Sequence, residues 1–201
     1  MLTQVANATL RILLFRAGPQ DFPYAPSLTR VLVPVAVLIN FVLASVTLSP
    51  ALALLSSAVA VFALAASTRA LLRVRQMENR YEQTFHALLA TSSVLALAFT
   101  VPMMQLMPEL MQYAQNPELM QNPETAMKLP TGALMMFDLL LIWNFAVTAH
   151  IYRHAAGMRL PLAVMVALVI SLAMLMFVGF ATSVLGALFG LQPAAGGAGG
   201  G

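Results

Sequence analysis

The sequence predicts an all-α fold, a helical bundle of about five transmembrane helices with its N-terminus inside and its C-terminus outside. Three observations carry this. Of 201 residues, 60% are hydrophobic and only 8% charged, against about 25% charged in an ordinary soluble domain, so the chain cannot cover itself with polar surface. The apolar residues gather in five runs, each near the roughly 20 helical residues that cross a hydrocarbon core about 30 Å thick. The basic residues between the runs fall almost entirely on one side.

The first run, Val31 to Leu48, and the second, Ala51 to Leu72, are broken only by Ser49 and Pro50. Proline suits a first helical turn, where its missing N–H has no helical partner, so a tight hairpin is expected. The third run is Thr84 to Leu106, the fourth Gly132 to Tyr152, and the fifth, Leu160 to Gly190, is long enough to tilt, kink or extend beyond a bilayer. With five spans, Arg11, Arg16, Arg30, Arg69, Arg73, Arg75, Arg80, Arg153 and Arg159 share one side, which is nine of the ten basic residues. Only Lys128 falls opposite, with Glu109, Glu118 and Glu124. Lys and Arg are retained in the cytoplasm, and this orients the chain.

Three regions follow from this. Residues 1–29 form a cytoplasmic interfacial helix and a Pro-rich connector, "AGPQDFPYAPS", that holds Phe22 and Tyr24 near the interface. A disordered tail or a soluble partner-binding helix are the alternatives for residues 2–16. Residues 30–190 form the transmembrane domain, and 191–201 a disordered Gly/Ala tail. The segment "MLTQVANATLRILLFRAG" is no signal peptide by pattern, because Arg11 and Arg16 interrupt its apolar part, so the N-terminus is expected to be retained.

An outer loop at about 107–131 carries the near-repeat QNPELM and QNPETA, read as two short helical starts with Asn caps and Pro at the first position. Met103, Met104, Met107, Met111, Met120 and Met127 lie in or beside it. Thioethers bind soft Cu(I), but apolar packing explains the methionines more simply. Pro108 is expected to limit the third helix.

Several function classes are excluded or unsupported. The chain has no cysteine, which removes disulfides, thiolate metal sites, iron–sulfur clusters and cysteine nucleophiles. A net charge of +3 spread between apolar runs forms no base-reading element, so no nucleic-acid partner is expected. No phosphate-binding glycine loop, GxSxG or paired-carboxylate set occurs. The expectation is a non-enzymatic protein with no cofactor, whose partners are the lipid bilayer and a protein partner or further copies of itself.

The candidate residues are few. Asp138 is the one acid well inside a span. It is read as structural, protonated or bonded to Thr47, Thr100, Thr182 or Ser183, with a proton or ion pathway as the alternative. Asn40 and Asn144 sit at mid-span and are read as hydrogen-bonding glue between helices. Close helix packing is expected at Ser56, Ser57, Ala58 and Ala60, and at Gly186-x-x-x-Gly190, within one subunit or between two.

Glu82 and His86 on one helix, and His150 and His154 on another, share i, i+4 spacing and would supply four ligands for a metal such as zinc if those helices meet. Interfacial histidines without metal, or a pH-sensitive group, are the other readings, and the interfacial one is preferred. Arg69, Arg73, Arg75, Arg80, Arg153 and Arg159 are read as a cytoplasmic anchor or partner surface.

The N-terminal interfacial segment, the five spans, the Arg-rich loop "RALLRVRQMENRYEQ" and the stretch "LLLIWNFAVTAHIYRHAAGMRLPLAVMVAL" resemble bacterial members of the Yip1-like membrane protein family over roughly residues 8 to 190. The resemblance implies a small helical protein of the bacterial inner membrane. It brings relatives in eukaryotes that associate with vesicle traffic and GTPase partners, and it assigns no catalytic residue. The function it suggests is that of a scaffold or assembly/trafficking-type interaction protein. A small ion, proton or metal transporter or channel using Asp138, Asn144 and the histidines is the alternative.

Overall fold

The structure is a computed structural model that describes residues 2–115 and 129–191. Within them the protein is all-helical, with no strand. The near-repeat beyond Gln115, together with Met120, Met127, Lys128 and the Gly/Ala tail, lies outside the described residues.

Six helices follow one another: α1 (Leu2–Leu13), α2 (Thr29–Ala44), α3 (Pro50–Val74), α4 (Tyr81–Gln115), α5 (Thr131–Ala155) and α6 (Leu160–Leu188). The last five, α2 taken together with the turn that precedes it from Pro26, are long and apolar enough to cross a membrane. Their bounds sit close to the expected runs except at two ends. The α2 helix stops at Ala44 rather than Leu48, because Ser45 and Thr47 turn their hydroxyls onto the carbonyls of Val42 and Ala44 at 2.8 and 3.2 Å. Such local bonds compete with the helix ladder. The α4 helix runs on through Pro102 and Pro108 to Gln115, about 52 Å at 1.5 Å per residue, so Pro108 does not end it.

Four helices close with one device. After α1, α3, α5 and α6 the chain enters the left-handed region at Phe15, Gln76, Gly157 and Gly190. The next amide then reaches back to the carbonyl of the helix's third-last residue, as in Met77 to Leu72 (2.8 Å) and Met158 to Arg153 (3.0 Å). Glycine suits that position. Phe15 does not, since a bulky residue at φ 58° is strained, and its ring contacts show what the strain accompanies.

The five long helices form a closed ring. Each packs mainly on two neighbours in the order α2, α4, α5, α6, α3 and back to α2, and α3 also touches α4 across the ring. Small residues line the seams: Ala36, Ala53, Ala87, Ala163 and Ala167 are fully buried, which lets backbones approach closely where lipid removes the hydrophobic drive between helices. Gly186 belongs to this set, because a β-carbon there would lie 2.8 Å from Leu52 of α3. Its partner in the GxxxG pattern, Gly190, has a positive φ and caps α6.

The amphipathic α1 does not rest its apolar side on lipid alone. Val5, Ala8, Ile12 and Leu13 are buried against α4 and α5, outside the ring. The connector folds into two single turns, Pro19–Asp21 and Pro26–Leu28. Phe22 is buried and Tyr24 exposed.

Candidate functional site

Within the ring lies a half-open cavity of about 370 Å³ with walls from all five long helices. Its polar lining comprises Asn40 of α2, Thr91 and Ser92 of α4, Asn144, Thr148 and Tyr152 of α5, and Ser171 of α6. No Asp, Glu, Lys, Arg or His contributes. Asn144, Thr148 and Tyr152 fall four residues apart, so one face of α5 carries all three inward.

The hydrogen bonds of the lining have a common direction. Thr91 Oγ1 donates to Ala87 O at 2.8 Å, Ser92 Oγ to Leu89 O at 3.2 Å, Thr148 Oγ1 to Asn144 O at 2.8 Å, and Asn40 Nδ2 to Ala36 O at 2.8 Å. Each proton goes to the residue's own helix, and the oxygen lone pairs remain. The Asn144 side chain makes no hydrogen bond to any described residue. Asn40 and Asn144 therefore share a cavity wall instead of bridging helices. At one end of the cavity the fully buried Tyr152 hydroxyl lies 3.4 Å from Thr68 Oγ1.

Asp138 is elsewhere. It is exposed on α5 and not part of the cavity lining. Its expected partners Thr47 and Thr100 donate to Ala44 O and Ala96 O of their own helices. Met135, Leu139 and Ile142 flank Asp138 on the same helical stripe, each more than 60% exposed.

The histidines do not converge. Among the described residues no three His, Asp or Glu side chains group as metal ligands. His86 is buried, with Nε2 2.7 Å from Thr29 Oγ1 and its ring beside Phe22. His150 Nε2 donates to Ala17 O at 2.9 Å, and its ring meets Phe15 edge-on at 5.3 Å and His154 at 4.5 Å. The strained Phe15 also packs on Trp143 at 5.4 Å. Gln83 Nε2 adds a bond to Phe22 O at 3.0 Å. His150 and Gln83 thus bond to the segment between α1 and α2, and His86 to Thr29 at the start of α2. Among the described residues, one buried carboxylate oxygen of Glu82 and His86 Nδ1 have no hydrogen-bond partner.

The arginines are used within the chain more than the sequence suggested. Arg80 Nη1 donates to the carbonyls of His154 and Ala155 at 3.3 and 3.2 Å, and Arg75 Nε to Ala156 O at 3.3 Å. These bonds fill orphan carbonyls at the negative end of the α5 dipole. Arg73 pairs with Glu78 at 3.5 Å, Arg69 lies over the Tyr81 ring at 5.8 Å, and Arg153 and Arg159 are exposed. Arg80→Ala should destabilise the protein by about 1 kcal/mol through the lost cap, read as a lower unfolding midpoint in mild detergent. Arg159→Ala should leave the midpoint unchanged.

The class these features define is an α-helical bundle of five potential spans, compatible with a multi-pass membrane protein. Comparison with protein-family models, curated proteins and solved structures finds no match to this chain.

Proposed function

We propose that the protein is a non-enzymatic, multi-pass protein of the bacterial inner membrane, of the Yip1-like kind, that acts as a scaffold or assembly protein with its N-terminus inside. One observation carries the reading: Asp138 stands exposed on α5 among the exposed apolar side chains of Met135, Leu139 and Ile142. A carboxylate facing lipid costs about 2.5–3.5 kcal/mol at the centre of a spanning helix on insertion scales, and Asp138, about two turns inside the start of α5, bears part of that cost. A second helix that covers it and supplies a hydrogen bond removes that cost, so this face is the contact surface in the plane of the membrane. Arg75 and Arg80 meet the end of α5, so the α3–α4 connection and the end of α5 share one end of the bundle, and the proposed orientation places that arginine-rich end inside on the retention of Lys and Arg alone.

The transporter alternative draws less support. It rests on Asp138 and Asn144, with the histidines as a further element: Asn144 lines the cavity, but Asp138 faces out of the bundle and His150 holds the N-terminal segment.

The test uses the cysteine-free background. Leu139→Cys, oxidised in native membranes, should give a disulfide-linked dimer, or a mixed adduct if the covering helix belongs to another protein. Adding Asp138→Leu should cut the yield at least tenfold, while Asp138→Asn, which keeps a hydrogen-bonding group, should retain most of it. No adduct, or a yield indifferent to Asp138→Leu, would sink the proposal.

A further inference from the structure

We propose that the apolar groove between α3 and α6 holds an acyl chain of an anionic phospholipid, whose phosphate is bound by Arg75 and Arg159 at the mouth of the groove. The inference shares the membrane reading but not the Asp138 contact, which lies on α5.

The tail follows from the walls. The groove has a volume of about 420 Å³, with Leu71, Val74, Val166 and Val169 among its apolar side chains and Ser67 as its only polar one. Ser67 Oγ already donates to Leu64 O at 3.2 Å and lies 3.8 Å from Met174 Sδ, so the groove asks for no polar partner. Val74, Met165 and Val169 are 81%, 59% and 61% exposed. A surface of this kind takes hydrocarbon.

The direction of the lipid follows from depth. From Ser67 to Val74 the groove covers about 10 Å of helix rise, inside the roughly 15 Å that is half of a hydrocarbon core. Its mouth is the arginine end, where α3 finishes at Val74 and α6 begins at Leu160. A chain lying in it has its headgroup at the interface and its tail toward mid-membrane, as the other lipids of that leaflet stand.

The charge of the headgroup follows from what the mouth leaves free. Arg73 is paired with Glu78 at 3.5 Å. Arg75 spends Nε on Ala156 O at 3.3 Å, in the connection that leads into α6, and its two Nη groups remain for a ligand. Arg159 is exposed at the N-cap of α6 and its side chain makes no capping bond. It stands three and seven residues before Leu162 and Val166, so it heads the stripe that forms the α6 wall. Guanidinium groups with free N–H donors match phosphate oxygens. A second transmembrane helix suits this mouth poorly, because in the proposed orientation its own Lys and Arg gather at the same end and repel these arginines.

The experiment measures binding of tail-radiolabelled dioleoyl phosphatidylglycerol to the full chain in mild detergent, with unlabelled dioleoyl phosphatidylglycerol and dioleoyl phosphatidylcholine as competitors. The expected result is saturable binding of one lipid per chain, with the phosphatidylcholine at least tenfold weaker. Arg159→Gln should weaken binding about fivefold, the effect of roughly one basic residue beside an anionic lipid. Arg30→Gln, which removes an exposed arginine from the start of α2, should leave it unchanged. Val166→Trp, which fills the groove, should abolish it. Absence of saturable binding, equal competition by the two lipids, or full affinity in Arg159→Gln would each overturn the proposal. An equal loss in Arg159→Gln and Arg30→Gln would overturn it too, as attraction to the basic end as a whole. So would a disulfide-linked dimer through Val169→Cys in native membranes, which puts a second copy in the groove. Should Val166→Trp fail to fold, the competition and the two arginine variants still decide. A negative result with Leu139→Cys bears on the assembly reading alone, so the two readings fail separately.

Discussion

Tyr152→Ala is expected to destabilise the protein by about 3–5 kcal/mol, the range for deleting a large buried aromatic side chain. Tyr152 is 0% exposed and shares the main core with Leu72, Leu88 and Ile151. Its ring fills the space where α5 faces α3, and helices held by further neighbours on each side cannot collapse into the gap. Packing, not the hydroxyl, should dominate: the contact to Thr68 is 3.4 Å long, at the weak end of O–H···O geometry. Tyr152→Phe should therefore stay within about 1 kcal/mol of the unmodified protein. Unfolding in mild detergent, followed by circular dichroism, measures both. Equal losses in the two variants would mean that the hydrogen bond holds this seam.

The second large effect is all-or-none. A cysteine placed at Thr131 should react fully with a membrane-impermeant maleimide added to intact cells, and one at Asn79 should not react until the membrane is opened. Both positions are exposed, and they lie at opposite ends of the bundle, because Arg80 binds the far end of the helix that Thr131 begins. The expected asymmetry comes from the arginines beside Asn79, which resist translocation. Labelling at Asn79 with protection at Thr131 would invert the proposed orientation.

The spans were legible because hydrophobic length is a property of one dimension. The expected Ala51 to Leu72 became Pro50–Val74, Gly132 to Tyr152 became Thr131–Ala155, and Leu160 to Gly190 became Leu160–Leu188. Where the bounds moved further, side-chain chemistry decided: hydroxyls ended α2 early, and α4 absorbed two prolines, as membrane helices can when neighbours satisfy the freed groups.

The candidate site was only partly legible. Asn40 and Asn144 stood out as mid-span amides, but the stripe Asn144, Thr148, Tyr152 was the signal that would have marked an inward face of α5. Six residues separate Asp138 from Asn144, about 240° around a helix, so the two cannot share that face. The histidine spacing suggested ligands, yet His86 and His150 bind the chain's own N-terminal segment, a long-range pairing that no local pattern encodes.

By itself the sequence determined how many long apolar helices form, nearly where they begin and end, and that the arginines gather between alternate spans, since each depends on composition along the chain. Only the tertiary structure decided which faces turn inward: that Asn144 meets a cavity while Asp138 meets the exterior, and that α1 lies on α4 and α5. In water, apolar periodicity separates inside from outside. Between helices in lipid both sides are apolar, and what distinguishes them is the close fit of small residues such as Ala163, Ala167 and Gly186 against particular neighbours.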